Sequence, residues 1–167
     1  ERALLDSLSV DIVESLTTEV GPRRIGTDGD KRVIAWSQAK FRELGFDRVW
    51  IEEVTLDRGW TRGEASAEIL SPYPHDIVMT ALGYSVGTEG DLVGELVEFK
   101  SLEDLEAVPE GDSLKGKIAF VSYSMNDFVP EPGQSEFVGY GVGTRARGRG
   151  HVVAAKRGAA AIIIRSV

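Results

Sequence analysis

The chain contains one match to the nucleophile motif of serine hydrolases, the run Gly83-Tyr-Ser-Val-Gly87. In such enzymes the serine lies on a sharp turn between a strand and a helix, and an acidic residue and a histidine follow it along the chain. A strand before Ser85 fits the sequence, but the residues that follow Gly87 are typical of a turn that leads into another strand. We therefore interpret this run as a glycine-rich loop, with a Ser85 nucleophile as the minor alternative.

Histidine and carboxylate patterns give weak support for a metal or acid–base site. His75 and His151 are the only histidines, and neither lies in an H-x-x-x-H or H-x-D arrangement. A zinc site takes three or four ligands, so these two side chains predict no local site. General acid–base chemistry needs a carboxylate with a shifted pKa, and nothing in the sequence indicates one. The candidate carboxylate pairs are Glu52-Glu53 and Glu64/Glu68, which we read as exposed strand faces.

A glycine-rich stretch resembles a phosphate-binding loop. Its glycines lie in Gly139-Tyr-Gly-Val-Gly143 and Gly148-Arg-Gly150. A dinucleotide-binding loop follows a strand directly and opens a helix, whereas the residues before Gly139 read as loop. We predict one long polar loop over residues 124–150, and a loop of that length is typically functional or mobile.

Composition limits the class of protein. The chain has 167 residues, 42% of them hydrophobic, a net charge of −8 and no cysteine. The acidic balance argues against nucleic-acid binding, which needs a basic surface. No apolar stretch approaches the length of a membrane span. Basic residues cluster near the end of the chain, and we read them as a solvated face, with an anion-binding or partner patch as the minor alternative. They are Arg145, Arg147, Arg149, Lys156 and Arg157.

The elements that must position these groups fall into two parts. Residues 3–18 and 29–44 have the apolar spacing of amphipathic helices, and alternation over 48–54 predicts a strand. Thr27 or Asp28 is a candidate cap of the second helix, Gly45 is a candidate stop, and Ser101 is a candidate cap of the short helix expected over 101–107. Beyond residue 55 the expected strands are 64–70, 76–82, 92–99, 117–123 and 159–166, with short helices over 101–107 and 151–157. The expected fold class is α+β.

The last strand, Ala159–Ser166, is the most apolar run of the chain. A strand of that kind is buried on both faces and needs covering layers. We therefore expect the chain to be cut inside a domain, with any chemistry encoded beyond residue 167.

Three segments of the first half resemble a known family. The turn Gly21-Pro-Arg-Arg-Ile-Gly-Thr27, a helix that ends in Leu44-Gly45, and a strand that ends in Glu53-Val54 are similar to the N-terminal segment of zinc-dependent exopeptidases. This family includes bacterial aminopeptidases and plasma glutamate carboxypeptidase. The runs 58–70 and 81–88 are similar to its carboxypeptidase-type subgroup. The runs 114–121 and 158–166 resemble the protease-associated domain that is inserted in that subgroup.

The resemblance implies that the two parts of the chain belong to different parts of a peptidase. Residues 1–54 correspond to helices and the first strand of the peptidase core, and residues 55–167 to an incomplete protease-associated lid with one crossover helix. The family implies two zinc ions and a glutamate general base, all expected beyond this chain, so whether the chain itself counts as an enzyme stays open. It also implies a peptide substrate and a periplasmic or secreted location. The choice between aminopeptidase and carboxypeptidase action stays open.

Within this picture the chain covers the active site and positions the peptide. Tyr140, Arg145 and Arg147, in the predicted loop, are the candidates for facing the substrate or the missing catalytic domain. Arg23 and Arg24 are candidates for contacting that domain, with a role at the surface as the equal alternative. The alternative is a stand-alone protease-associated-like module that binds peptides or proteins without catalysis. Exposed apolar groups on the two helices, among them Leu4, Leu8, Phe41 and Leu44, also predict self-association of an isolated chain.

Overall fold

The computed structural model of the protein describes residues 5–135 and 137–166. The chain forms two compact units, Glu1–Ser85 and Val86–Val167.

Two helices dominate the first unit. Helix α1 spans Leu8–Ser15 and runs on into a π-helical turn over Leu16–Val20, and helix α2 spans Asp28–Glu43. The helices predicted from apolar spacing are therefore present, and the predicted residues 3 and 4 lie outside the described part. Two contacts join them: the Trp36 indole donates to the Ser15 hydroxyl at 2.8 Å, and the Arg32 guanidinium donates to the carbonyl of Val20.

The turn before α2 is fixed by local hydrogen bonds and by one close approach. The Thr27 hydroxyl accepts from the backbone N–H of Asp30, and the Asp30 carboxylate accepts from the N–H of Gly26 at 2.9 Å, which satisfies exposed donors at the helix start. Gly29 is buried against Pro22, and a Cβ at position 29 would overlap the Pro22 carbonyl oxygen. The glycine is therefore required by packing.

After α2 the structure departs from the prediction. Gly45 has a φ of 84° and ends the helix as expected, but residues 46–66 contain neither helix nor strand. The predicted strand over 48–54 is thus corrected to an irregular segment. A strand is stabilised by a hydrogen-bonded neighbour, and no other described segment pairs with these residues.

A short hairpin completes the first unit. Strand β1 spans Ala67–Ile69, strand β2 spans His75–Ile77, and the two pair antiparallel with Glu68 opposite Asp76. They lie at or near the predicted strands 64–70 and 76–82 but are only three residues long each.

The second unit is built on a three-stranded parallel sheet. Its strands are β3 (Leu96–Phe99), β4 (Ile118–Val121) and β5 (Ala161–Ile164), with β4 in the middle. Helix α3 (Leu102–Ala107) connects β3 to β4, and helix α4 (Phe137–Ala155) connects β4 to β5. Ser101 caps α3, as the sequence predicts, by accepting from the N–H of Asp104.

The core of this unit lies between the sheet and the helices. Its buried members are Phe99, Leu102, Leu105, Leu114, Ala119, Val121, Ala146, Val153 and Ala154. Mixed helices and small open sheets confirm the predicted α+β class.

The long loop predicted over 124–150 is wrong. A 3₁₀ turn covers Met125–Asp127, and α4 includes all of the glycine-rich stretch. Glycine disfavours an isolated helix, but here it permits close packing. A Cβ at Gly139 would lie 2.7 Å from the Phe128 ring, and one at Gly150 would lie 2.8 Å from Ile162 Cδ1. Close packing of the helix therefore stabilises it by more than the low helix propensity of glycine destabilises it.

Candidate functional site: the exposed face of helix α4

Helix α4 has three distinct faces, because successive residues are about 100° apart around a helix axis. The first face is buried in the core of the second unit. It consists of small residues and one valine: Gly139, Gly143, Ala146, Gly150, Val153 and Ala154. This face anchors the helix and leaves the other two faces for polar groups.

The second face carries most of the basic cluster, and its charges are paired. Carboxylates on or just after α3 supply the partners. The pairs are Arg145–Glu103 at 2.7 Å, Arg149–Glu106 at 3.0 Å and Lys156–Glu110 at 3.1 Å. An open groove of about 480 Å³ runs along this face and is lined by the last two pairs. Because its cations are already neutralised, the groove is a poor site for an anionic ligand.

Arg157, the last member of the cluster, has a different role. Its side chain is buried, with 5% of the residue exposed. The guanidinium donates to the carbonyls of Val108 and Val153 at 2.8 Å each, and to the carbonyl of Glu106. Carbonyls at a helix C-terminus lack partners inside the helix. One cation therefore satisfies the ends of both α3 and α4.

The third face is a polar stripe that is exposed except at Thr144, which is half-buried. Tyr140, Thr144, Arg147 and His151 follow one another at spacings of four, three and four residues, which places them on one side of the helix; we call this set the Tyr140–His151 stripe. Tyr140 is 43% exposed, and Arg147 and His151 are also exposed. The Thr144 hydroxyl donates to the carbonyl of Gly141 at 3.1 Å.

The structure therefore separates the three residues predicted to face substrate. Tyr140 and Arg147 share the stripe, whereas Arg145 lies on the α3 side in its pair with Glu103. His151 joins the stripe, although the sequence had placed it at the start of a short helix. The spacing of residues 140, 144, 147 and 151 indicates a shared face only if a helix spans the glycine-rich stretch.

Ser85 does not lie in the context that a serine nucleophile needs. The turn before it closes through the N–H of Ser85 and the carbonyl of Leu82 at 3.1 Å. Tyr84, which precedes it, has a φ of 66°. Residues 86–95 then follow without a helix. The strand–turn–helix geometry of a nucleophile elbow is therefore not formed.

The remaining candidates are dispersed. His75 lies exposed on β2, with Nδ1 2.7 Å from the carbonyl of Tyr73. The four glutamates of the carboxylate pairs are exposed. In residues 5–135 and 137–166, no three His, Asp or Glu side chains lie close enough together to hold a metal ion. None of the described helices is both long and apolar enough to cross a membrane.

One carboxyl group has a shifted pKa. Hydrogen bonds from the Lys100 ammonium and from the Ser122 hydroxyl, both at 2.6 Å, hold the pKa of the Glu98 carboxyl below its usual value of 4.5. A lowered pKa makes Glu98 a weaker general base at neutral pH. We therefore assign it to the surface of the sheet and not to a catalytic role.

Comparisons with known proteins identify peptidases that are similar to this chain. A crystal structure of a peptidase M28 precursor from Shewanella amazonensis SB2B superposes with a TM-score of 0.81 and 46% sequence identity, over 96% of this chain and 35% of that one. Carboxypeptidase Q from Xenopus laevis is 39% identical over 150 residues, and the human protein is 31% identical over 153 residues. No family model matches the chain. The chain is homologous to a segment of these peptidases.

The similarity extends over most of the length of this chain but over less than a third of the length of these carboxypeptidase Q relatives. It extends over 89% of the chain for the Xenopus protein and 91% for the human protein, and over 29% of the length of each relative. The predicted resemblance to an exopeptidase segment is thus confirmed.

Proposed function

We propose that this chain is the non-catalytic N-terminal part of a zinc-dependent exopeptidase, where it covers the active site and positions the peptide. The observation that carries the proposal is the match of about nine-tenths of the chain to 29% of carboxypeptidase Q. The two zinc ions, their His, Asp and Glu ligands and the general base belong, in this proposal, to the rest of the parent protein. The name of these relatives favours removal of C-terminal residues.

The division proposed within the chain follows the resemblance. Residues 1–54 belong to the peptidase core, and residues 55–167 to the incomplete protease-associated lid. The second compact unit supplies the folded centre of that lid, since the parallel sheet and α4 lie within it. A periplasmic or secreted location, and no contact with nucleic acid or membrane, are part of the same proposal.

The Tyr140–His151 stripe is the surface that we propose to face the peptide. Tyr140 offers a ring with a polar tip, which suits a partly wet interface. The structure records no ion pair for Arg147 with the described residues, so its guanidinium is available to a peptide carboxylate or carbonyl. Arg145 contributes indirectly, through the Glu103 pair that joins α4 to α3.

Kinetics of the parent protein test this assignment. Tyr140→Ala and Arg147→Ala should each raise KM several-fold with a smaller change in kcat, because they remove contacts made before the chemical step. Arg149→Ala is the matched control, since it removes a paired cation from another face of the same helix. Equal effects of Arg147→Ala and Arg149→Ala would show that the stripe has no special role.

A stand-alone binding module is the second candidate. It is supported by the core of the second unit, which is formed entirely from residues of that unit. The coding sequence distinguishes the two candidates: an H-x-D motif and acidic ligands after residue 167 support the exopeptidase, and a gene that ends there supports the module.

A further inference from the structure

Three residues from distant parts of the first unit meet in a cation–aromatic cluster. The guanidinium carbon of Arg24 lies 4.3 Å from the ring centroid of Trp60 and 5.2 Å from that of Tyr84. The guanidinium carbon of Arg62 lies 5.8 Å from the Trp60 ring. Two cations therefore share one indole, whose negative faces attract them.

Hydrogen bonds from side chains to backbone carbonyls hold the cluster in place. The Trp60 indole N–H donates to the carbonyl of Ser85 at 2.9 Å, and Arg62 Nε donates to the carbonyl of Ala81 at 3.1 Å. Tyr84, between those two acceptors, has a φ of 66°, in the left-handed region that tyrosine rarely adopts. A strained residue of this kind persists where surrounding contacts fix it, and such positions are frequent at binding sites.

The cations in this cluster retain unused donors. Among the residues that the structure describes, no carboxylate pairs with Arg24 or Arg62, and only the Nε of Arg62 donates a hydrogen bond. Tyr84 is 62% exposed. The free guanidinium donors are suited to a carboxylate ligand, which accepts strong, charge-assisted hydrogen bonds from arginine.

We propose that Arg24, Trp60, Arg62 and Tyr84 form a binding site for a carboxylate joined to an aromatic ring. The guanidinium groups hold the carboxylate, and the exposed face of Tyr84 stacks against the ring of the ligand. This inference does not rest on the proposed peptidase function, because all four residues lie in the first unit and the Tyr140–His151 stripe lies in the second.

Titration of the 167-residue chain, followed by the NMR signal of the Trp60 indole N–H, tests the site. The signal is assigned by its loss in Trp60→Phe. N-acetyl-L-phenylalanine should shift it in a saturable manner, whereas N-acetyl-L-phenylalanine amide, which lacks the carboxylate, should not. N-acetyl-L-aspartic acid α-amide, which has a side-chain carboxylate but no ring, should bind more weakly. Equal binding of the acid and amide of phenylalanine, or no saturation, would overturn the proposal, and equal binding of the aspartic acid derivative would remove the role of the ring.

Variants separate a direct role from a structural one. Arg24→Gln and Arg62→Gln should each weaken binding about tenfold or more, the effect expected for loss of a hydrogen bond from a charged donor. Arg42→Gln, an exposed arginine on α2, is the control of equal charge change and should leave the affinity unaltered. The Trp36 indole signal, which reports the contact with Ser15, verifies that each variant keeps its fold.

Gly83→Ala tests the geometry without any change of charge. A Cβ at this position would lie 3.0 Å from Nη2 and 3.3 Å from Nη1 of Arg24. The flexible end of the arginine must then move, which should weaken binding of N-acetyl-L-phenylalanine several-fold while the fold persists. Unchanged affinity in Gly83→Ala and in both arginine variants would contradict the assignment.

Discussion

At the scale of single side chains, Arg157 links the C-terminal ends of the two helices of the second unit. It is buried, and it donates to carbonyls at the ends of α3 and α4. Arg157→Met should lower the free energy of unfolding by about 2–4 kcal/mol, because three carbonyl acceptors, in one buried and two partly buried hydrogen bonds, lose a charged donor.

Urea denaturation followed by circular dichroism would measure this loss. Arg147→Met is the matched control on the same helix, and its effect should stay within about 0.5 kcal/mol, as is usual for exposed positions. If the two variants have equal midpoints, then the buried arginine does not have the role that we assign to it.

Local signals in the sequence predicted several residues correctly, whereas partners distant in sequence could not be predicted. Thr27, Gly45 and Ser101 act as caps or stops because capping depends on neighbours within a few positions. The basic cluster looked like a solvated face, since the carboxylates that pair with it lie some forty residues earlier. Only the packing of α3 against α4 brings them together.

Helix α4 shows the same limit at the scale of elements. Five glycines between Phe137 and His151 gave the composition of a loop, and the tertiary contacts that make a helix favourable there were not visible in the sequence. The error also concealed the Tyr140–His151 stripe, because residues that share a helical face have no common spacing in a loop. The strand predicted from the alternation over 48–54 was wrong because a strand also needs a partner. The sequence has the pattern of a strand there, but no partner strand lies among the described residues.

Two alanine substitutions in α4 distinguish glycines that packing requires from those that it does not. A Cβ at Gly141 has open space around it, whereas one at Gly139 would lie 2.7 Å from the Phe128 ring. Gly141→Ala should stabilise the protein by about 0.5–1 kcal/mol, since alanine has the higher helix propensity. Gly139→Ala should destabilise it by about 1–3 kcal/mol through overpacking.

Thermal or urea unfolding of the two variants, in parallel with the unchanged chain, measures whether each substitution raises or lowers the free energy of unfolding. Stabilisation by both substitutions would mean that Phe128 does not pack closely on the helix.

At the scale of the whole molecule, apolar groups of the first unit remain in contact with solvent. Leu8 is 39% exposed, Phe41 45% and Leu44 40%. Exposed apolar patches drive association, so the 167-residue chain should form concentration-dependent dimers or larger species. Sedimentation velocity over a range of concentrations would detect them.

A double variant tests the source of that association. Phe41→Ser combined with Leu44→Ser should shift the chain towards monomer, whereas Val129→Ser, at an exposed position of the second unit, should not. A chain that is monomeric at every concentration would contradict the prediction.

We propose that this chain serves a zinc exopeptidase without supplying its catalytic groups. The most direct test is hydrolysis of dipeptides by the full product of the gene, with the 167-residue chain assayed beside it. We predict that the full protein releases amino acids, that a chelator abolishes this activity and added zinc restores it, and that the 167-residue chain alone is inactive. Hydrolysis that survives chelation, or hydrolysis by the 167-residue chain alone, would contradict the account.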